Sequence, residues 1–221
     1  MEVQGKKMWV FLTAGILLTG CGDNTDRIKD RAQIEAEANA RKQVDAENQY
    51  QTKRAEEMEL DLARRQRYFD ALSGTYEGTY EGFSDKAFRI KLILTSSLPA
   101  YVPPRRIRTL DEIENDLNSL FLTAQEVVWD EDVSMSAGCF YEKIRPDIRA
   151  GRIYLASEDC KVSFNLSVSN NPEIREEEND SAGLAAKVMA GVVDRIQSLH
   201  GTGQSIYVST PFRVEVYRVK E

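Results

Sequence analysis

The sequence is poor in the side chains that most enzyme chemistry uses. Its 221 residues hold one histidine, His200, and three cysteines, Cys21, Cys139 and Cys160. Ser-His-Asp hydrolysis would depend wholly on His200. No Gly-x-Ser-x-Gly elbow, phosphate-cradling glycine loop or His-Glu-x-x-His helix accompanies it. His200 itself is expected at a helix end beside Gly201, where a cation is a common structural feature. With so few thiols and imidazoles, Cys139 and Cys160 make a poor zinc site. Positive charge is also short. Lys and Arg number 29 against 36 Asp and Glu, a net charge of −7. That balance argues against sequence-independent nucleic-acid binding, which rests on neutralising phosphates. Long apolar runs are missing too: a spanning helix needs roughly 20 apolar residues, and Met8 to Leu18 supplies eleven.

Carboxylates are plentiful, and paired carboxylates leave little local signature. Asp130-Glu131-Asp132 reads as a solvated turn, because neighbouring strand residues point to opposite faces and no Ca²⁺-loop spacing surrounds them. Asp111, Glu112, Glu114 and Asp116 read as a solvated helix face with an acidic first turn. No metal, cofactor or catalytic residue is expected.

What the chain does have at its start is an export signal. Lys6 and Lys7 form a positive n-region, Met8 to Leu18 an apolar h-region, and Thr19-Gly20 the small residues before a cleavage point. The next residue is Cys21. Leu18-Thr19-Gly20-Cys21 resembles the lipobox of bacterial lipoproteins. The resemblance covers residues 1–24 and implies a defined processing. Residues 1–20 are cut away, the Cys21 thiol receives a diacylglyceryl group, and the new amine is acylated. Several acyl chains hold a protein stably where one binds only marginally. Membrane lipid is therefore the first expected partner. Gly22, where Asp often retains such proteins in the inner membrane, points to the outer membrane of a diderm envelope, facing the periplasm.

That compartment is oxidising, and Cys139 and Cys160 remain as an even pair. A disulfide is expected. It would close a loop of about 22 residues and contribute roughly 3 kcal/mol in the chain-entropy treatment.

Residues 21–72 carry the lipidated Cys and a charged tether. From residue 24 to 70 the chain has no Gly or Pro and is dominated by Ala, Glu, Gln, Arg, Lys and Asp, which are mostly good helix formers. Apolar residues are sparse until Ala55, Met58, Leu62, Phe69 and Leu72, which approximate an a/d seam interrupted by Arg65. Three to four sustained heptads would be needed for a coiled coil. The expectation is a long polar helix docked at its C-terminal end. It could serve as a spacer of roughly 70 Å at 1.5 Å per residue, or be a partly disordered tether. A weak homodimer through this helix is the minority reading.

Residues 73–221 read as one α+β domain. Ser73-Gly74 stops the helix. Thr75-Tyr76-Glu77-Gly78 and Thr79-Tyr80-Glu81-Gly82 repeat, which places Tyr76 and Tyr80 on one strand face. Lys86 to Thr95 alternates, and Thr109 with Glu112 forms a capping box for a helix at about 110–121. Further strands are expected at Glu126 to Met135, Cys139 to Tyr141, Arg152 to Leu155, Lys161 to Ser169, Ile206 to Val208 and Phe212 to Val219. An acidic loop over 170–180 precedes an amphipathic helix from Ser181 to Leu199 with Leu184, Val188, Val192, Ile196 and Leu199 on its apolar face. The sum is six or seven mostly antiparallel strands with two helices, which do not alternate as a doubly wound sheet would require.

Contact candidates follow from composition. Tyr76 and Tyr80 could line a ligand wall, although a core edge is the plainer reading. Arg105, Arg106 and Arg108, and separately Arg64, Arg65 and Arg67, could meet an acidic partner or anionic headgroups. The function expected is a non-catalytic interaction or assembly factor in the envelope, with a protein partner. The alternative is a lipid or small-molecule binder with a barrel-like sheet.

Overall fold

A computed structural model describes residues 24–81, 88–98, 102–104, 106, 108–130, 133–170, 180–206 and 210–220. The export signal, Cys21 and Gly22 lie outside the described residues, as do Arg105 and positions 171–179 of the acidic loop. The chain divides into two compact units between Tyr50 and Gln51.

The described part of the first unit is the opening half of helix α1 (Asn24–Leu72). Every side chain from 31 to 50 faces water. Helical propensity and i,i+4 pairs such as Gln33 Nε2 to Glu37 Oε1 (3.3 Å) hold this stretch together. Ile34, Val44 and Tyr50 are large apolar side chains left exposed along it. No helix among the described residues is long and apolar enough to cross a membrane.

The second unit begins with the rest of α1. Here Ala55, Leu62, Ala63, Tyr68, Phe69, Ala71 and Leu72 are buried in the core of the unit. The expected seam therefore packs on its own domain. Arg65, which interrupts it, stays half exposed and pairs with Asp61 at 2.8 Å. The helix stops at Leu72, and the Ser73 amide donates to the Phe69 carbonyl.

Eight strands follow: β1 (Gly74–Glu81), β2 (Phe88–Ser96), β3 (Leu122–Asp130), β4 (Val133–Ile144), β5 (Arg152–Leu155), β6 (Val162–Ser169), β7 (Ser198–Ser205) and β8 (Phe212–Arg218). They form one antiparallel sheet in the order β4-β3-β2-β1-β8-β7-β6-β5. Alternation turns Ile90, Leu92, Leu94, Phe164, Leu166, Val168, Phe212, Val214 and Val216 to one buried face. Two glycines let neighbouring strands close in. A Cβ on Gly78 would lie 1.9 Å from the Glu215 oxygen, and one on Gly201 would lie 2.0 Å from the Asn165 oxygen. The sheet curls until its two edges meet. The Tyr141 hydroxyl reaches the Val162 carbonyl at 3.0 Å, and Cys139 is joined to Cys160 with Cα atoms 5.7 Å apart. The result is nearly a barrel. Helices α2 (Leu110–Ser119) and α3 (Ser181–Met189) add Ile113, Ala185 and Val188 to the same core.

The class is α+β with a long N-terminal helix, as the patterning implies, but the strands number eight rather than six or seven. Three local readings change. The run Glu126 to Met135 is not one strand: it contains the junction between β3 and β4. The helix expected over 181–199 stops at Met189. Gly191 adopts φ +73°, its amide donates to the Val188 carbonyl, and that of Val192 donates to Lys187. Those two bonds are a Schellman close, which needs a left-handed residue just past the helix. The next element is β7, so His200 lies inside a strand rather than at a helix end. The strand expected over 206–208 is displaced as well: β7 ends at Ser205, Ile206 is in a turn, and 207–209 lie outside the described residues.

Candidate functional site

The sheet seam concentrates the most chemistry. On β3 the inward phase runs Leu122, Ala124, Glu126, so a carboxylate occupies a core position and is 4% exposed. The β3–β4 register sets Glu126 directly opposite Cys139 and Ala124 opposite Tyr141. The Tyr141 hydroxyl lies 2.8 Å from Glu126 Oε2 and 3.0 Å from the Val162 carbonyl oxygen. One hydroxyl proton cannot fully serve two acceptors. A neutral Glu126 resolves the conflict by donating to the Tyr141 oxygen while Tyr141 donates to Val162. Burial favours that state and pushes the Glu126 carboxyl up to about 7, against the pull of the Tyr141 hydrogen bond. Burial first, and then Glu126, push the Tyr141 hydroxyl well above its ordinary value. The Tyr141 ring packs edge-on against Phe164 at 6.2 Å, and Phe164 against Phe212 at 6.1 Å.

On the solvent side, a cleft of about 500 Å³ opens over the disulfide. Both cysteines line it, with Phe140, Glu142, Ser157 and Asp159. Cys160 is buried and Cys139 half-buried. Phe140, beside Cys139, is 51% exposed. The cysteine pair was readable from its even count once Cys21 is set aside. Glu126 was not, because a strand read as beginning at Glu126 hides its place in the inward phase.

Tyr76 has a different role from a ligand wall. It is fully buried, and its hydroxyl donates to the Leu72 carbonyl at 2.8 Å. Arg218 closes over it. Its Nε donates to the Ile196 carbonyl and its Nη1 to the Ser73 carbonyl, both at 2.7 Å, and its Nη2 serves the Ala71 carbonyl and the Tyr76 oxygen. The guanidinium carbon sits 5.0 Å from the Tyr76 ring centroid, within cation–π range. Three carbonyls at the end of α1 and before β7 are thus tied to the last strand. Burial pushes the Tyr76 hydroxyl up to about 12, opposed by Arg218. Tyr80 pairs through its backbone with Phe88 and Val214, and its side chain lies outside the description.

In the cluster at 105–108, Arg106 and Arg108 are committed within the fold. Arg106 forks onto Glu112 at 2.6 and 3.1 Å. Glu112 also completes the capping box with Thr109. Arg106 first, and then Thr109, hold the Glu112 carboxyl down at about 2. Arg108 reaches Asp116 at 2.5 Å, the Glu112 carbonyl at 3.0 Å and Glu59 at 3.5 Å. It fastens the start of α2 to α1. Arg105 lies outside the described residues, whereas Arg64, Arg65 and Arg67 face water.

His200 keeps residue types that suggest hydrolysis without an arrangement that permits it. Its Nε2 lies 3.0 Å from the Ser198 hydroxyl, and Glu215 stands opposite it in the β7–β8 register. Ser198 is completely buried and donates to the Ser169 carbonyl at 3.1 Å. A substrate carbonyl has no access to that oxygen. The imidazole packs edge-on against Tyr217 at 5.8 Å. Among the described residues, no group of three or more His, Cys, Asp or Glu could hold a metal ion. Comparison with known families, curated proteins and solved structures found no match to this chain.

Proposed function

We propose that the protein is a lipid-anchored envelope factor that acts by holding a partner rather than by catalysis. The lipobox-like Leu18-Thr19-Gly20-Cys21 carries this reading. Acylated Cys21 fixes the chain to the periplasmic face of the outer membrane. The stretch of α1 over 31–50, exposed on every side, supports a spacer role. The near-barrel from Gln51 onward presents the contact surface to an envelope protein. A weak homodimer through α1 fits the same arrangement, with Ile34 and Val44 as its apolar contacts. The absence of catalysis rests on the single histidine of the sequence and on the enclosed Ser198 beside it.

The test is crosslinking in cells, followed by identification of what travels with the acylated protein, with Cys21→Ser as control. One recurrent protein partner, lost together with membrane retention in Cys21→Ser, is the expected outcome. A mutant still held in the membrane fraction after a high-salt wash would remove the anchor from the account.

The reading of the domain as a lipid or small-molecule binder draws on the curled sheet and on Glu126, a polar group turned inward where a ligand headgroup could meet it. Native mass spectrometry of the purified protein separates the two. A retained small molecule favours the binder, and a bare chain favours the assembly factor.

A further inference from the structure

The geometry points to Cys139–Cys160 as an exchangeable disulfide, reduced by a protein dithiol that enters the cleft over the seam, with Glu126 as the buried acid serving Cys139. Most disulfides that merely brace a fold are shielded from attack. This one lines an open cleft of about 500 Å³ through both of its residues. Exchange rates depend on access and on which sulfur is attacked. Cys139 is the more exposed of the two, so it is the point of entry, and Cys160 is the leaving sulfur.

Two features prepare the reduced state. Cys160 Sγ lies 3.4 Å from the Phe140 carbonyl oxygen. A disulfide sulfur has no proton to give that oxygen, but a thiol does, so reduction creates a hydrogen bond where none exists. On the other side of the seam, Glu126 stands directly across from Cys139. Side chains so paired have Cβ atoms about 5 Å apart. Tyr141, which contacts both Glu126 and the Val162 carbonyl, keeps a proton-bearing oxygen beside the carboxyl as its charge changes.

One thiolate of the reductant attacks Cys139 Sγ, and a mixed disulfide forms. The Cys139–Cys160 bond breaks, and Cys160 leaves with the electron pair. It takes up the proton that the attacking thiol had released to water and donates it to Phe140. The second thiolate of the reductant then attacks its own sulfur in the mixed disulfide. Cys139 leaves with the electron pair and takes the proton of Glu126. Water, carrying the second proton shed by the dithiol, restores that carboxyl. The reductant ends as a disulfide, and Cys139 and Cys160 end as thiols. The seam between β4 and β6 loses its covalent tie and keeps the Tyr141–Val162 bond.

The test uses the full mature chain with Cys21→Ser, so that only the pair can report. Protein is exposed to dithiothreitol without denaturant, quenched in acid and labelled with a maleimide. The expected result is complete reduction while the circular dichroism of the fold persists. Glutathione, used as a one-thiol probe, should be trapped on Cys139. Glu126→Gln should slow the second step, read as the decay of the Cys139 mixed disulfide, by about a hundredfold, the low end of what general acid assistance contributes. Glu142→Gln, in the cleft but on its solvent side, should change the rate by less than about twofold. Reduction that occurs only after urea is added would make the bond a buried brace and overturn the assignment. So would an adduct on Cys160, or an unchanged decay of the mixed disulfide in Glu126→Gln. The glutathione mapping uses unaltered Glu126, so it decides the matter even if Glu126→Gln folds poorly.

Discussion

A half-buried guanidinium and a buried carboxyl, Arg218 and Glu126, mark the residue scale. Around the Arg218 guanidinium, three carbonyls, a hydroxyl and an aromatic face stand in place of water. Glu126 has only the Tyr141 hydroxyl as a described partner, and the cheaper solution is to hold its proton. The consequence is a pH dependence with a fixed sign. The Glu126 carboxyl is raised from 4.5 in the ordinary state to about 7 in the fold. Below about 4.5 it is neutral in both states, and its stabilising effect is complete. As pH rises toward 7 the unfolded chain releases this proton and the folded chain does not, so stability falls. The loss levels off above 7, at about 3 kcal/mol by the usual conversion. Glu112 works in the opposite sense, contributing above its ordinary value and losing that contribution as pH falls toward 2. Comparing wild type with Glu126→Gln isolates the Glu126 effect. Urea unfolding at pH 5 and pH 8 should show wild type losing stability across the interval relative to the mutant. Parallel behaviour of the two proteins would mean that Glu126 titrates normally.

At the scale of elements, α1 shows how one helix takes two characters from one sequence style. Leu62 is fully buried in the core of the second unit, whereas Val44 is 58% exposed. Leu62→Ala should cost 2 to 5 kcal/mol, roughly the range for a large-to-small change in a packed core. Val44→Ala should stay within about 0.5 kcal/mol, as surface substitutions do. Chemical denaturation of both variants checks this, and equal losses would contradict the packing described. The split was legible because Ala55, Leu62, Phe69 and Leu72 recur at heptad spacing while the preceding residues are nearly all polar. β6, β8 and the Thr109 capping box were legible for the same reason: each carries an unbroken local pattern. Elsewhere the pattern misled. The spacing of Leu184, Val188, Val192, Ile196 and Leu199 runs straight through Gly191, yet Val192 ends up 72% exposed because the backbone turns left-handed there. β7 left almost no trace. Of Leu199, Gly201 and Gly203 on its inner face only the first is apolar and large, and the space at Gly203 is filled by the Phe212 ring, 2.2 Å from where a Cβ would stand. A core completed by a neighbouring strand cannot be read from the strand that leaves room for it. The same applies at the seam, where the pairing of Glu126 with Cys139 is a fact of register and not of composition.

The second unit as a whole depends on a strand that comes last. β8 lies in the middle of the sheet, between β1 and β7, and joins β4-β3-β2-β1 to β7-β6-β5. Phe212, Val214 and Val216 bring it into the core, and burying each is worth about 1.5 to 3 kcal/mol. Arg218 then binds the carbonyls of Ala71, Ser73 and Ile196, which ties the exit of α1 to the entry of β7. Removing β8 thus does more than trim an edge. It exposes the inward-facing edges of β1 and β7, leaves two half-sheets joined by the disulfide at the far seam, and frees the end of α1. A chain truncated after Pro211 should therefore show no cooperative thermal transition by calorimetry. It should bind a hydrophobic dye while keeping helical circular dichroism from the polar part of α1. Net stabilities of 5 to 15 kcal/mol, roughly the range for such domains, cannot absorb the loss of three core side chains and a four-bond clamp together. Deleting only residues 220–221 leaves β8 and Arg218 in place, and the transition should stay within about 0.5 kcal/mol of the intact protein. A cooperative transition in the Pro211 truncation would show that the two half-sheets fold without their central strand, and that the barrel is an assembly of separable parts.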